Sequence, residues 1–382
     1  MKKQSVAIGL SGGVDSAVSA VLLKRQGYEV TGVFLYCFDS RKTPCTVDED
    51  RAMAVKVADH IGIPIKIIDL RSQYRRSVVE YFFSEYRNGR TPNPDVMCNR
   101  EIKFGLFYRE AIENWGMNFV ATGHYSRILN YKFEILNNVI EQTVLAKGVD
   151  KTKDQSYFLY NLKERQLEHI LFPIGELRKH QVRTIAKQFN LPNWDRPDSQ
   201  GICFIGEVDV RKFISTKLKP KKGLVLSSKG EIIGEHDGVW FYTIGQRHGY
   251  KITQNSKARL ASGQVKSQKT DGKPMYILGK NSERNELIVG YKEDCYSKKI
   301  ELENFHLINP RTFSNLSDLS LLSDLNNLNV RIRHLGELYP CKVFYERSGI
   351  WFELKKPAFA VAPGQSAVLY YKDIVLGGGV IC

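Results

Sequence analysis

Residues 9–16, Gly-Leu-Ser-Gly-Gly-Val-Asp-Ser, constrain this chain more than any other stretch, because they join a short apolar strand to a helix start. Ser5–Leu10 is expected as the strand, and Val14–Gln26 as a helix that stops at Gly27. A loop in that position turns the free N–H groups of the helix N-terminus towards an anion. Gly12 and Gly13 let the backbone come close and take strained φ values, so that successive N–H groups can cradle oxygens. Ser11 and Ser16 add hydroxyl donors. The loop lacks the Gly-Lys-Ser/Thr of a Walker motif and the GxGxxG of dinucleotide folds. Asp15 is the telling residue, since a bare carboxylate would repel a phosphate. It makes sense either with Mg²⁺ bridging the two or as a cap on the helix.

The rest of the first half keeps the same rhythm. Glu29–Phe34, Pro64–Leu70 and Asn118–Thr122 are expected strands, with helices over Asp48–Ile61 and Ser72–Arg87. Strand and helix in alternation mean parallel strands joined by right-handed crossovers, an α/β doubly wound sheet whose ligands sit beyond the carboxyl ends of the strands. Tyr125–Val149 is patterned as a hairpin and Asp154–Gln188 as helical; Pro192–Gly206 is a polar loop. Beyond it β-branched residues alternate with turn signals over Gly223–Tyr250, Met275–Gly290 and Ile300–Cys382, notably in Val330–His334, Cys341–Tyr345 and Ala367–Tyr371. Ser314–Asn329 is expected as an insertion or short helix. We therefore expect an α/β domain over residues 1–205 followed by two small β domains, 206–290 and 291–382.

Charge narrows the partner. Lys and Arg number 56 against 41 Asp and Glu, a formal charge of +15, which suits a polyanion because each cation set on a phosphate releases counterions. No stretch is long and apolar enough for a membrane span, and the start carries neither a signal-peptide core nor an Arg- and Ser-rich leader. A cytoplasmic location is expected. The seven cysteines are odd in number, scattered and without a CxxC pair, so they are expected as mostly free thiols and not as a zinc or thioredoxin-like motif.

Two of those cysteines sit in unusual loops. Cys98 follows Thr91-Pro92-Asn93-Pro94-Asp95, held extended by its prolines and leading into a helix to about Trp115. At or just inside that helix start, the macrodipole with Arg100 and Lys103 is expected to favour the thiolate. Cys203 lies in Asp198-Ser199-Gln200-Gly201-Ile202-Cys203-Phe204-Ile205-Gly206, where Gly201 and apolar neighbours suit a loop that moves and is covered. Beside an anion loop, such a pair points to chemistry more than either cysteine would alone.

The Ser11–Ser16 string resembles the pyrophosphatase loop of the PP-loop ATPases, which implies cleavage of ATP between its α and β phosphates and adenylation of a carbonyl oxygen. The chain as a whole resembles the bacterial tRNA-specific 2-thiouridylases. The matching segments are GLSGGVDS, GRTPNPDVMCNREIKFG, ATGHY, KDQSYFLY, FPIGELRKHQVR, DSQGICFIG, IGQRHG and APGQSAVLYY, which span residues 9 to 371. The resemblance implies sulfuration of position 2 of the wobble uridine at the expense of ATP, by a Rossmann-like PP-loop catalytic domain over residues 1–205 with a small β-rich tRNA-binding domain and a C-terminal β-barrel behind it.

Carried over by residue, the resemblance assigns ATP to Gly9, Leu10, Ser11, Gly12, Gly13, Val14, Asp15 and Ser16, with Leu35 and Gly123 near adenine and ribose. It gives Cys203 a persulfide from a sulfur-relay protein or cysteine desulfurase, and leaves a Cys98–Cys203 disulfide at the end. Persulfide attack and released hydrogen sulfide both remain open for the final step. Asn93, Pro94 and Asp95 match the target-base contact, with Asp95 an acid/base at the uracil edge, a helix cap, or both. His124, Lys153, Asp154, Gln155, Arg333, His334 and Gln365 match tRNA contacts. Arg178, Lys179, Arg183, Lys217, Lys219, Lys221 and Lys222 are candidate phosphate contacts. Cys45 stands where many family members carry a cysteine and is given no chemistry; Cys37, Cys295, Cys341 and Cys382 are expected to be structural. A monomer is expected. A small-molecule PP-loop ligase would need neither the basic charge nor the two cysteines, iron–sulfur cytidine thiolases need a CxxC pair, 4-thiouridine enzymes place the PP-loop after RNA-binding domains, and an inactive tRNA binder would not need Asp15, Asp95, Cys98 and Cys203 together.

Overall fold

The computed structural model describes residues 3–38, 47–135, 138–198, 203, 209–252, 273–310, 327–346 and 349–382. Cys45, residues 314–326 and the Asp198–Gly206 loop apart from Asp198 and Cys203 lie outside them. Among the described residues three sheets form, the first of them parallel.

Its strands are β1 (Ser5–Gly9), β2 (Glu29–Tyr36), β3 (Ile65–Asp69), β4 (Phe119–Ala121) and, later in the chain, Ile170–Leu171, in the order β3-β2-β1-β4 and then Ile170–Leu171. Val6, Ala7 and Ile8 of β1 are fully buried, as an innermost strand with covered faces requires. One face packs against α1 (Val14–Arg25), α2 (Val47–Ile61) and the helix Lys179–Gln188; the other packs against the helical run from Arg71 to Asn114. Helix α1 ends where Gly27 takes φ +89°, a conformation open to glycine.

The expected helix over Asp154–Gln188 is broken up. A 3₁₀ turn at Ser156–Leu159, a short helix at Glu164–Leu167 and the fifth parallel strand, Ile170–Leu171, precede Lys179–Gln188. A two-residue strand has no period, so only its pairing with β4 identifies it.

The second sheet, of strands from Gly223–Ser227 to Glu286–Gly290, is mostly antiparallel and encloses a small core of Val225, Val239, Tyr242, Ile277, Leu287 and Val289. The third runs from Tyr296–Leu307 to Ile374–Ile381, and the pairing of these two strands with one another closes six strands into a barrel. The expected hairpin is present as Ser126–Ile135 and Asn138–Lys147, but it does not belong to the first sheet: Leu145 and Ala146 pair with Val375 and Ile374. The hairpin thereby ties the nucleotide-type domain to the barrel. A buried ion pair reinforces the joint, Arg331 Nη1 to Asp154 Oδ2 at 2.7 Å. No helix among the described residues is long and apolar enough to cross a membrane.

Candidate active site

Strand order places the switch point between β1 and β4, where the chain leaves the sheet in opposite directions and opens a crevice at the carboxyl ends. The loop after β1 is the glycine string, and the loop after β4 is Thr122-Gly123-His124. Gly12 takes φ +78°, and a Cβ there would lie 2.5 Å from the Asp50 carbonyl oxygen. Gly13 is the N-cap of α1 and gives no side-chain cap, leaving the first-turn N–H groups free for an anion. The Ser16 hydroxyl donates to the Gly13 carbonyl at 3.0 Å and accepts from Ser11 N–H at 3.2 Å, which fixes the curl of the loop. Gly123 closes the crevice from the other side: a Cβ on it would meet Ser16 N at 2.7 Å. Leu35, near the end of β2, is buried.

Asp15 does not cap the helix. Its carboxylate accepts from the Tyr125 hydroxyl at 2.8 Å and from Lys179 Nζ at 2.8 and 2.9 Å. The same Lys179 ammonium reaches Asp198 Oδ1 at 2.7 Å, and Lys153 and Arg183 complete the cage around Asp198 at 2.7 and 2.6 Å. Burial works to raise Asp198, but the bonds from Lys153 and Lys179 hold it well below the usual carboxylate range. Asn193 Nδ2 and Arg196 Nη1 donate to the Gly12 carbonyl at 2.9 and 3.1 Å. Cations thus line the loop that would receive phosphates. Among the described residues no three His, Cys, Asp or Glu come together as a metal-binding group, and Asp15 is the carboxylate that the glycine loop itself presents.

The cysteine site lies on the other face of the sheet. Asn93 accepts from Val96 N–H at 3.3 Å and caps a helix that begins at Pro94 and continues, as π-helical turns, past Phe107. Cys98 is therefore a turn inside the helix and fully buried. Cys203, 105 residues away in sequence, stands with its sulfur 3.4 Å from that of Cys98. Asp95 Oδ1 accepts the Cys203 N–H at 3.0 Å, and Tyr74 Oη donates to the Cys203 carbonyl at 2.6 Å. Cys203 is thus pinned at both its N–H and its carbonyl.

The electrostatics reverse the sequence expectation for Cys98. Burial pushes its thiol well up, and the hydrogen bond it gives Cys203 adds to that. The helix dipole is weak a turn in from the cap, and Arg100 is paired outside with Glu101 at 2.7 Å. Cys203 is the thiol held low, first by the bond from Cys98 and then, against burial, by Lys103. Burial would neutralise Lys103, but Cys203, Cys98 and Asp95 keep it charged. Burial also raises Asp95, against its bond from Cys203 and the charge of Lys103. Cys37, beyond β2, packs in the same apolar cluster and is pushed up by burial.

The two sites meet through the loop after β4. Lys103 Nζ is 3.5 Å from His124 Nε2, His124 Nδ1 is 2.7 Å from Thr122 Oγ1, and Gly123 between them packs on Ser16.

The remaining sequence candidates are placed as follows. Asp154 is buried and engaged by Arg331, Gly148 N–H and Ser156 N–H; Gln155 Oε1 accepts from Tyr125 N–H at 3.0 Å. Arg333 donates to the Phe359 and Ala360 carbonyls at 2.6 and 3.2 Å, and the His334 ring packs tilted against Phe158, centroids 4.3 Å apart. Gln365 Nε2 donates to the carbonyls of Thr91 and Pro92 at 3.1 and 2.9 Å, so the barrel grips the loop that presents Asn93, Pro94 and Asp95. Lys179 as a bridge, Tyr74 as an anchor and Gln365 as a clamp on the proline loop are partnerships that no local spacing announces.

Comparisons with known proteins match family models along most of the chain. Residues 4–207 match the family described as tRNA methyl transferase HUP domain, 211–291 the tRNA methyl transferase PRC-barrel domain, and 297–381 the aminomethyltransferase beta-barrel domain. The chain is 40% identical over 99% of its length to the tRNA-specific 2-thiouridylase MnmA of Neisseria meningitidis, covering 95% of that protein. It is 39% identical over its whole length to MnmA 1 of Geobacillus kaustophilus, covering 96% of it. A solved NMN synthetase from Francisella tularensis is similar over 55% of this chain and 72% of that one, at 19% identity and a TM-score of 0.32.

Proposed function

The chain belongs to the tRNA-specific 2-thiouridylase family, and from that premise we infer how its own residues divide the labour of a tRNA sulfurtransferase. The enzyme uses ATP to replace O2 of the wobble uridine with sulfur. One observation carries the division: a continuous line of contacts, Ser16–Gly123–His124–Lys103–Cys203, joins a phosphate-type loop to a pair of sulfurs 3.4 Å apart.

Gly9–Ser16 receives the triphosphate, with Leu35 and Gly123 flanking the nucleoside. Lys179 and Arg196 neutralise charge around the loop, and Asp15 would hold the Mg²⁺ that accompanies ATP and polarises its phosphates. The uracil O2 attacks the α phosphorus; the new O–P bond replaces the α–β anhydride, and pyrophosphate leaves. Adenylation converts an oxygen that would not leave into one that departs with AMP.

Cys203, the lower-pKa thiol, takes a sulfur from a protein persulfide donor and bears it as Cys203–S–SH. The outer sulfur attacks C2. Cys98 then attacks Sγ of Cys203: the Cys98–Cys203 bond forms, the Cys203–S bond breaks, and its electron pair remains on the sulfur left at C2. If Cys98 acts first on the persulfide, hydrosulfide is freed to attack C2, and the same disulfide results. The sulfurs need close by only about 1.4 Å to reach bonding distance. Asp95 holds Cys203 by its N–H and serves as acid/base at the uracil edge. Asn93, Pro94, His124, Lys153, Asp154, Gln155, Arg333, His334 and Gln365 shape the tRNA side, several of them by holding loops in place. We place the enzyme in the cytosol, as a monomer with an anticodon stem-loop whose unpaired base can be splayed into the crevice.

The test is tRNA-dependent release of pyrophosphate from ATP. Release with a tRNA bearing a wobble uridine, and none with one bearing a wobble cytidine, supports the reading; equal release without tRNA refutes it.

A further inference from the structure

Cys203 has a cationic neighbour whose placement is specified by a third residue. Lys103 sits on the first π-helical turns after Cys98, and its half-buried side chain points among Cys98, Cys203 and Asp95. A lysine so placed is held by design or by accident, and the ring beyond it distinguishes these. His124 is buried, and both its nitrogens are addressed: Nδ1 lies 2.7 Å from Thr122 Oγ1 and Nε2 lies 3.5 Å from Lys103 Nζ. A lysine ammonium has no lone pair to give, so a contact with it requires Nε2 to accept. The tautomer with the proton on Nδ1, donated to Thr122, satisfies both contacts. Burial and the charge of Lys103 keep the imidazole neutral, which is the state such a contact needs. Rings of Phe104 and Phe172 pack on His124 at 6.0 and 5.9 Å and hold its plane.

Building on the sulfur-transfer reading above, we propose that Lys103, seated by the neutral imidazole of His124, is the positioning residue that supplies a fixed counter-charge to the sulfur carried on Cys203. The charge serves twice. It first faces the thiolate that attacks the outer sulfur of the donor persulfide; the Cys203–S bond forms, the donor's S–S bond breaks, and the donor leaves as a thiolate that takes up a proton. It then faces the terminal sulfur of Cys203–S–S⁻, the anion that must stay deprotonated until C2 is presented. His124 acts through Lys103 and does not need to touch the RNA.

Iodoacetamide alkylation of the reduced full-length protein, read at the Cys203 peptide by mass spectrometry across pH, tests this without tRNA, ATP or a sulfur donor. Lys103→Met and Lys103→Gln should move the inflection of the Cys203 rate upward by about one pH unit or more, a roughly tenfold loss at neutral pH. Lys103→Arg should keep the inflection near that of the unsubstituted protein. An unmoved inflection in either neutral variant, with circular dichroism unchanged, overturns the proposal. Should both neutral variants fail to fold, Thr122→Val, which removes the partner of His124 and leaves Lys103 in place, must shift the inflection upward; an unchanged profile there overturns it equally. The absence of 2-thiouridine from an unsubstituted enzyme that shows the low inflection would instead count against the sulfur-transfer reading and leave Lys103 in its role.

Discussion

The Asp95 carboxylate accepts the backbone N–H of Cys203 at 3.0 Å, across 108 residues of chain. That bond, with the Tyr74 hydroxyl on the Cys203 carbonyl, holds Cys203 beside Cys98, with the sulfurs 3.4 Å apart. Asp95 therefore has a positioning duty separable from proton transfer. Asp95→Ala removes the acceptor and should cost the seating of Cys203 about 1–3 kcal/mol. Asp95→Asn keeps an acceptor and loses the acid/base. Diamide oxidation followed by peptide mapping should give slow Cys98–Cys203 disulfide formation in the alanine variant and near-normal formation in the asparagine variant, while both lose thiolation.

Gly12 and Gly123 are expected to be intolerant for steric reasons. At Gly12 an alanine meets both a left-handed φ of +78° and the Asp50 carbonyl oxygen at 2.5 Å. The backbone conformation alone costs about 1–2 kcal/mol. At Gly123 the added methyl would push on Ser16 N at 2.7 Å. Pyrophosphate release should fall at least about tenfold for each, the effect of about 1.4 kcal/mol at the loop, with alkylation of Cys203 unchanged in the Gly12 variant.

The buried pair of Asp154 and Arg331 should behave as a structural joint. With both side chains withdrawn from solvent, deleting one partner strands a charge and costs about 3–5 kcal/mol. Arg331→Met should lower the urea midpoint strongly, and the double replacement Asp154→Leu with Arg331→Met should recover much of the loss. If Asp154→Ala weakens tRNA binding with the urea midpoint unmoved, its role is an RNA contact and not the joint.

Asp198 sets a pH dependence of known sign. Its carboxyl lies well below the ordinary range in the fold, so the stability it contributes is present above the unfolded value of about 4 and is lost as pH falls below it. The thermal midpoint of Asp198→Asn should lie below that of the unsubstituted protein near neutral pH, and the gap should shrink on acidification below about pH 4.

What could be read from the sequence divides along contact range. The glycine string, the alternation of strand and helix and the hairpin over residues 126–147 are local patterns and were legible as such. Which sheet the hairpin joins was not, because its pairing of Ala146 with Ile374 spans most of the chain and leaves no mark in either strand's period. The strand Ile170–Leu171 was hidden in a stretch that looks helical. At the site, both cysteines were singled out by their loops, but Cys98 was expected as a thiolate and burial raises its thiol instead. Counting the helix from Cys98 overlooked Asn93, the actual cap, and a buried position at the fifth residue raises a thiol whatever the dipole offers. Asp15 was noticed for its charge, while its partner Lys179 lies 164 residues later and could be found only in space.

The central claim is that Cys203 carries the sulfur and Cys98 clears it. The direct measurement is a single turnover with wobble-uridine tRNA, ATP, Mg²⁺ and a persulfide donor, followed by mass spectrometry of both nucleosides and cysteine peptides. We predict 2-thiouridine together with a Cys98–Cys203 disulfide, a trapped persulfide of one extra sulfur on Cys203 when tRNA is withheld, and no product from Cys203→Ser. An undiminished yield of 2-thiouridine from Cys203→Ser would contradict the account.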